Sequence, residues 1–327
     1  MMKRRIEIWT PEEYHYPLAY SFIPNIVALA HEDSEVRPCV IVAPGGSYRF
    51  LSPTEGEIIA ERFYSWGYNA FVLSYTTDLT MTQPLMRQPM YDISRAIRLI
   101  RSKADELHID PDRLAICGFS AGGHLCASIC VHYMDVQDPD PDLQSYSNRP
   151  DAAILSYPVI TSGVYTHKDS MRALLGDSPS EEDLEYAANE RNVSSKTPPC
   201  FLWHTLTDES VPVKNSLLFT EACKQKGVPY ALHLFSDGPH GLSTADDIWV
   251  EESWKADYVL EQTYAILEQI EHGELRNIRS RPYLEDFLKH GRNMARGIFL
   301  ASAAPNREVA VWPQIAHGWL QKQFQKE

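Results

Sequence analysis

The sequence predicts an α/β protein with a mostly parallel central sheet flanked by helices. Three observations predict it. Short, nearly continuous apolar runs recur over the first three quarters of the chain, the pattern of strands covered on both faces. Amphipathic stretches with helical spacing separate these runs. One apolar run passes through the turn Gly118-Phe119-Ser120-Ala121-Gly122-Gly123 directly into a helical stretch. Strands that alternate with helices build βαβ units and pair in parallel.

In chain order, strands are expected at 39–43, 70–74, 114–117, 152–156, 200–204 and 230–235. A helix is expected over 93–107, where Ile93, Ala96, Ile97, Ile100 and Ala104 fall on one face. A second follows the glycine turn over 124–134, and a third spans 213–227, closed by Gly227 as a C-cap. Residues 311–324 form a last amphipathic helix with Pro313 at its start. Two segments interrupt the alternation. Residues 76–90, rich in Thr, Pro, Gln and Met, read as a long surface loop; 162–199 is polar with short helical pieces at 171–175 and 181–188. Both follow strands, and loops at the carboxyl ends of parallel strands build ligand crevices.

Residues 248–305 exceed what the alternation needs. They are expected to form two helices, 252–270 and 283–300, joined by a basic turn over 276–282. The pair has too little core for independence, so 1–327 is expected to be a single domain with a helical insertion at 248–305. That insertion would act as a lid, as a contact between two copies in a homodimer, or as packing against its own sheet. Trp203, Trp254, Trp312 and Trp319 are expected in the core.

Composition excludes several classes. With 327 residues, 44% hydrophobic and 23% charged, the chain is neither disordered, collagenous nor a coiled coil. A net charge of −14 opposes a phosphate-backbone partner, so no nucleic acid is expected. Lys3, Arg4 and Arg5 are followed by Glu7 rather than an apolar stretch, and no run of 18 apolar residues occurs; neither a signal peptide nor a membrane partner is expected. Six scattered cysteines without a C-x-x-C pair suit a reducing compartment, and a cytoplasmic location is expected. Neither a metal cluster nor a cofactor motif is present, so no cofactor is expected.

The chemistry concentrates in the glycine turn. A G-x-S-x-G between strand and helix is a nucleophile elbow, with Ser120 as the nucleophile. Such a serine needs a base and an orienting acid, which follow it in the order Asp or Glu, then His. The strand at 200–204 ends near Asp208, and the strand at 230–235 ends near His240. Asp208 closes its strand-end turn; Glu209 is one step away, and Asp237 is too near His240 in sequence to orient its ring easily. An oxyanion hole would take one N–H from Ala121 and another from the Pro44-Gly45-Gly46-Ser47-Tyr48 turn, with Gly46 and Ser47 the candidate donors. Tyr48 and Tyr75 follow strands on the crevice side and are candidate substrate contacts. His124 is expected to anchor structure beneath the elbow, and His204 to be a hydrogen-bonded part of the strand end.

The strings Val42-Ala43-Pro44-Gly45-Gly46-Ser47-Tyr48, Leu51-Ser52-Pro53-Thr54-Glu55-Gly56-Glu57 and Gly118-Phe119-Ser120-Ala121-Gly122-Gly123-His124 resemble the acetylxylan-esterase-like and feruloyl-esterase-like branch of α/β-hydrolase carbohydrate esterases. His204-Thr205, Asp208-Glu209-Ser210-Val211-Pro212 and Gly238-Pro239-His240-Gly241 look like the same family. The resemblance implies a serine esterase that removes acetyl or related small acyl groups from xylan- or mannan-type oligosaccharides. The family often carries a third glycine where this chain has Ser47, which adds a side chain at the pocket edge. A general carboxylesterase on lipophilic esters is the main alternative. A serine peptidase shares fold and triad, but such enzymes generally carry a large N-terminal propeller. A non-catalytic binding protein on the same fold is the remaining reading.

Overall fold

Six of the eight strands lie where the apolar runs place them. The computed structural model describes residues 2–17, 22–252, 258–272 and 304–325. Its strands are β1 (Met2–Glu7), β2 (Asn25–Ala30), β3 (Arg37–Ala43), β4 (Asn69–Ser74), β5 (Ile109–Phe119), β6 (Ala152–Ser156), β7 (Cys200–Thr205) and β8 (Tyr230–Phe235). They form one sheet in the order β1-β2-β4-β3-β5-β6-β7-β8. Pairing is parallel from β4 through β8, and β1 and β2 add an antiparallel edge.

The two extra strands differ in legibility. Residues 26–30 are an apolar run fully buried in β2, the same signal that marks the six expected strands. By contrast β1 is Met-Lys-Arg-Arg-Ile-Glu, with Lys3, Arg4 and Arg5 exposed. It pairs residue for residue with β2 and its cations reach Glu61, Glu106 and Glu261. Charge on an edge strand protects it from pairing with another chain. The opposite edge, β8, is only half covered, with Tyr230 and Leu234 exposed, so it departs from the expectation of cover on both faces.

Helices cover both faces: α1 (Glu57–Ser65), α2 (Gln88–Ser102), α3 (Ser120–His132), α4 (Pro141–Gln144), α5 (Lys168–Leu175), α6 (Glu181–Ala187), α7 (Lys214–Lys226), α8 (Asp247–Glu252), α9 (Glu261–Glu271) and α10 (Trp312–Phe324). Helix α7 ends at Gly227 with φ 69°, the left-handed C-cap expected from sequence. The core runs through the central strands, where Val40, Ile41, Val42, Leu114, Ala115 and Ile116 are fully buried. Each buried Val, Leu or Ile contributes about 1.5–3 kcal/mol over its exposed state. Trp203 and Trp312 are fully buried and stack at 5.1 Å, which fastens α10 to the sheet.

Three expectations change here. Of residues 76–90, 76–87 are irregular and the rest start α2, yet Thr76, Thr77, Asp78, Leu79 and Thr80 are buried rather than on the surface. Side chains satisfy the backbone: Asp92 accepts from the N–H and hydroxyl of Thr76, and Gln262 accepts from both groups of Thr77. A buried loop is tolerated only when its polar groups are paired in this way. Second, the helix expected over 93–107 starts earlier, at Gln88, and ends at Ser102. Third, the single helix expected over 252–270 is interrupted, because α8 ends at Glu252 and α9 begins at Glu261 after a turn. The described part of 248–305 packs on its own body: Glu57 accepts from the Tyr258 N–H, and Gln262 grips the loop at Thr77. Trp254, the basic turn at 276–282 and the helix expected at 283–300 lie outside the described residues.

Candidate active site

The carboxyl ends of β3, β5, β7 and the segment after β8 converge on one cleft. At the end of β5 the chain turns sharply, and Ser120 takes φ 51°, a left-handed conformation rare for a side-chain-bearing residue. The turn is possible because glycines flank it. A Cβ on Gly122 would lie 2.2 Å from the Ala43 carbonyl oxygen, so only glycine lets α3 approach β3 this closely.

His240 Nε2 lies 2.8 Å from Ser120 Oγ, and His240 Nδ1 lies 2.6 Å from Asp208 Oδ2. Asp208 is buried, and its Oδ1 accepts the backbone N–H of Ser210 and Val211 at 3.0 and 2.9 Å. Burial by itself would raise its carboxyl. Hydrogen bonds from His204 and His240, the His240 charge and the Val211 N–H outweigh burial and hold it well below the usual carboxylate range. With Asp208 ionised, Nδ1–H donates to it and Nε2 accepts the Ser120 hydroxyl proton. Ser120, Asp208 and His240, expected from three separate strand ends, are thus brought together. Glu209 and Asp237 are not part of the relay; Asp237 accepts from Thr207 instead.

The loop after β3 carries three consecutive left-handed residues, Gly46 (φ 118°), Ser47 (φ 59°) and Tyr48 (φ 62°). Gly46 and Ser47 line the cleft beside Ser120. Ala121, one residue into α3, has a backbone N–H with no acceptor within its own helix. The three residues expected as oxyanion donors therefore flank Ser120.

Tyr48 and Tyr75 do not line this cleft. Both are buried, with their hydroxyls engaged. Tyr75 donates to the Pro44 carbonyl at 2.6 Å, and Tyr48 donates to His124 Nδ1 at 2.8 Å. They support the loop from beneath instead of contacting a substrate there. Tyr48 and His124 instead border a second, more apolar cavity walled by Met86, Leu174 and Tyr186. His124 Nε2 bonds the Ala187 carbonyl at 2.9 Å, and burial lowers its imidazole to about 4, so it is neutral. His204 is fully buried, held by Ser216 and the Val211 carbonyl, with Nε2 3.3 Å from Asp208.

The cleft holds residues that strand-end reasoning misses. Arg49, Ser52 and Thr54 come from the segment after β3, Ser210 from beside the acid, and His167 from the 162–199 segment. His167 Nδ1 is occupied by Ser170, the start of α5, which leaves Nε2 as the ring nitrogen free of that bond. Apart from Phe50 the lining residues are polar or glycine, in a cleft that opens to solvent. Only the expectation that 162–199 walls a pocket pointed to His167.

The sheet order, the elbow and the relay together define an α/β-hydrolase fold. The family model BD-FAE matches residues 26–223, and the chain belongs to that family. The match spans Ser120 and Asp208 and stops before His240, which the sequence order and the geometry place in the site. Among solved structures, an acetyl ester-xyloside bifunctional hydrolase from Caldicellulosiruptor lactoaceticus shares 37% identity with a TM-score of 0.71, over 84% of this chain and 97% of that one. Endo-1,4-beta-xylanase B of Butyrivibrio fibrisolvens is 50% identical over 259 residues, 79% of this chain and 41% of that protein. An acetylxylan esterase of Xylanibacter ruminicola is 29% identical over 251 residues, 74% of this chain and 48% of that protein. The chain thus spans about half the length of the curated relatives it matches.

Proposed function

We propose that this protein is a serine esterase that hydrolyses small acyl esters, acetyl above all, on xylan- or mannan-type oligosaccharides. The observation that carries the reading is the continuous Ser120–His240–Asp208 relay opening onto a solvent-accessible cleft. Ser120 attacks the ester carbonyl while His240 takes its proton, and Asp208 holds the imidazole in the tautomer this requires. The Ala121 N–H with that of Gly46 or Ser47 receives the tetrahedral oxyanion. The alcohol leaves with the proton from His240, and water repeats the cycle on the acyl-enzyme.

Arg49, Ser52, Thr54 and His167 bring hydrogen-bonding groups to the cleft that can engage the hydroxyls of a sugar. The acetylxylan esterase and acetyl ester-xyloside hydrolase among its relatives support the same substrate class. Glycosidic cleavage, named for two relatives, ordinarily needs two carboxylates facing the bond. Among the described residues the cleft lining holds one, Glu55, and Asp208 lies buried behind His240. The ester reaction is therefore the one this site supports.

Ser120→Ala is expected to abolish p-nitrophenyl acetate hydrolysis while the protein stays folded by circular dichroism. Retained activity overturns the reading. Acetate release from acetylated xylo- or manno-oligosaccharides is expected to exceed p-nitrophenyl butyrate turnover in kcat/KM. The reverse order assigns the protein to general carboxylesterases.

A further inference from the structure

The cleft contains a buried carboxylate that the relay does not use. Glu55 is 3% exposed, follows the oxyanion loop, and reaches back into it. Its Oε2 accepts the Gly45 N–H at 2.8 Å. Its Oε1 accepts the Tyr157 hydroxyl at 2.6 Å. Tyr157 oxygen in turn accepts the Ser243 N–H at 3.1 Å, three residues beyond His240. The Tyr157 ring meets the His240 imidazole edge to face at 4.9 Å. Ser243 also donates its hydroxyl to the Thr54 carbonyl, next to Glu55.

The contacts form a closed circuit. Gly45 sits so tightly against the elbow that a Cβ there would lie 2.8 Å from Glu55 Oε2 and 2.9 Å from Ser120 Cβ. The left-handed run at 46–48 begins one residue later, so the Glu55–Gly45 bond sets where the Gly46 and Ser47 N–H groups start. Because the Tyr157 oxygen accepts the Ser243 N–H, its own O–H donates to Glu55. Both Glu55 oxygens accept, an arrangement suited to a carboxylate and to no neutral side chain of its size.

We propose that Glu55 is a positioning residue for ester hydrolysis: it couples the oxyanion loop, through Gly45, to the base-bearing His240 loop, through Tyr157 and Ser243. The proposal rests on the esterase reading and deepens it. Holding both halves of the site from one carboxylate keeps the oxyanion donors and the imidazole in register. A displacement of about 1 Å in such groups lowers turnover by about 100-fold. His240 faces Asp208 and Ser120 directly and the Tyr157 ring at its edge, and it shares its field with Glu55 and His167.

The test is Glu55→Gln with p-nitrophenyl acetate as probe. The glutamine amide must turn its NH2 toward either Gly45, whose N–H then loses its acceptor, or Tyr157, whose hydroxyl proton then loses its acceptor. The expected result is a kcat lowered about tenfold or more with KM within about twofold. Wild-type kcat, or a KM that rises as much as kcat falls, overturns the proposal. Should Glu55→Gln fail to fold, Tyr157→Phe keeps the ring on His240 and removes only the hydroxyl. It is expected to lower kcat in the same sense, and wild-type kcat in that variant also overturns the proposal. Ser120→Ala measured alongside keeps the two claims apart. An active Ser120→Ala overturns the esterase reading itself, whereas an inactive one beside a fully active Glu55→Gln overturns only the role of Glu55.

Discussion

Ser47 stands where the resembled family often has glycine, and it holds φ 59° between two other left-handed residues. A side-chain-bearing residue in that region costs on the order of 1 kcal/mol, a strain the loop carries to aim its N–H groups at the cleft. Ser47→Gly is therefore expected to raise stability by about 1 kcal/mol in urea unfolding while ester hydrolysis persists. An unchanged or lower midpoint would mean that the serine side chain repays the strain. The same position decides how much room the pocket edge leaves for an alcohol group. Ser120, with φ 51°, carries strain of the same kind at the nucleophile.

Among elements, the 162–199 segment matters most, because it brings His167 to the cleft and is pinned at its far end by His124. The imidazole of His124 joins the Tyr48 hydroxyl below the oxyanion loop to the Ala187 carbonyl at the end of α6. Buried and neutral, it ionises at about 4 in the folded chain, against about 6.5 unfolded. Its folded pKa is depressed, so between those values the unfolded state binds the extra proton and stability falls as pH drops. From pH 7 to pH 5 the loss is about 2 kcal/mol. His124→Gln is expected to be less stable at pH 7 but to lose less between pH 7 and pH 5, as read from urea midpoints. Equal pH slopes in both proteins would remove His124 as the cause.

On the scale of the whole molecule, the chain beyond the sheet returns to complete the site. Asn306 donates to the Asp237 carbonyl, Glu308 accepts from Ser236, and Trp312 Nε1 donates to the Ser243 carbonyl at 2.7 Å. The loop bearing His240 is thus bracketed by residues more than 60 positions later. Trp312→Phe leaves that buried carbonyl without its donor and a void beside Trp203, and is expected to cost about 2 kcal/mol or more. Activity is expected to fall more than the folded fraction does, because Ser243 also contacts Tyr157. A loss of activity that tracks the folded fraction alone would show the link to be structural only. Net charge is −14, yet the cleft lining includes Arg49 and His167, so the overall charge does not describe the site.

Much of this was legible beforehand for a physical reason. Strands buried on both faces must be apolar throughout, as at 39–43 and 152–156, and a sharp strand-to-helix turn must carry small residues around Ser120. These are local demands, and local sequence records them. The acid and the base were readable as well, because parallel strands all deliver their carboxyl ends to one side of the sheet. What lay beyond reach depended on contacts distant in sequence. Charged β1 is a strand only because β2 offers it an edge, and residues 76–80 are buried only because Asp92 and Gln262 satisfy their polar groups. Tyr48 and Tyr75 point beneath the cleft because His124 and Pro44 claim their hydroxyls. Sequence alone determined the six parallel strands, the elbow and the chain order of Ser120, Asp208 and His240. Tertiary structure decided which polar side chains face the cleft and which are spent holding it, since burial and pairing are properties of the packed chain.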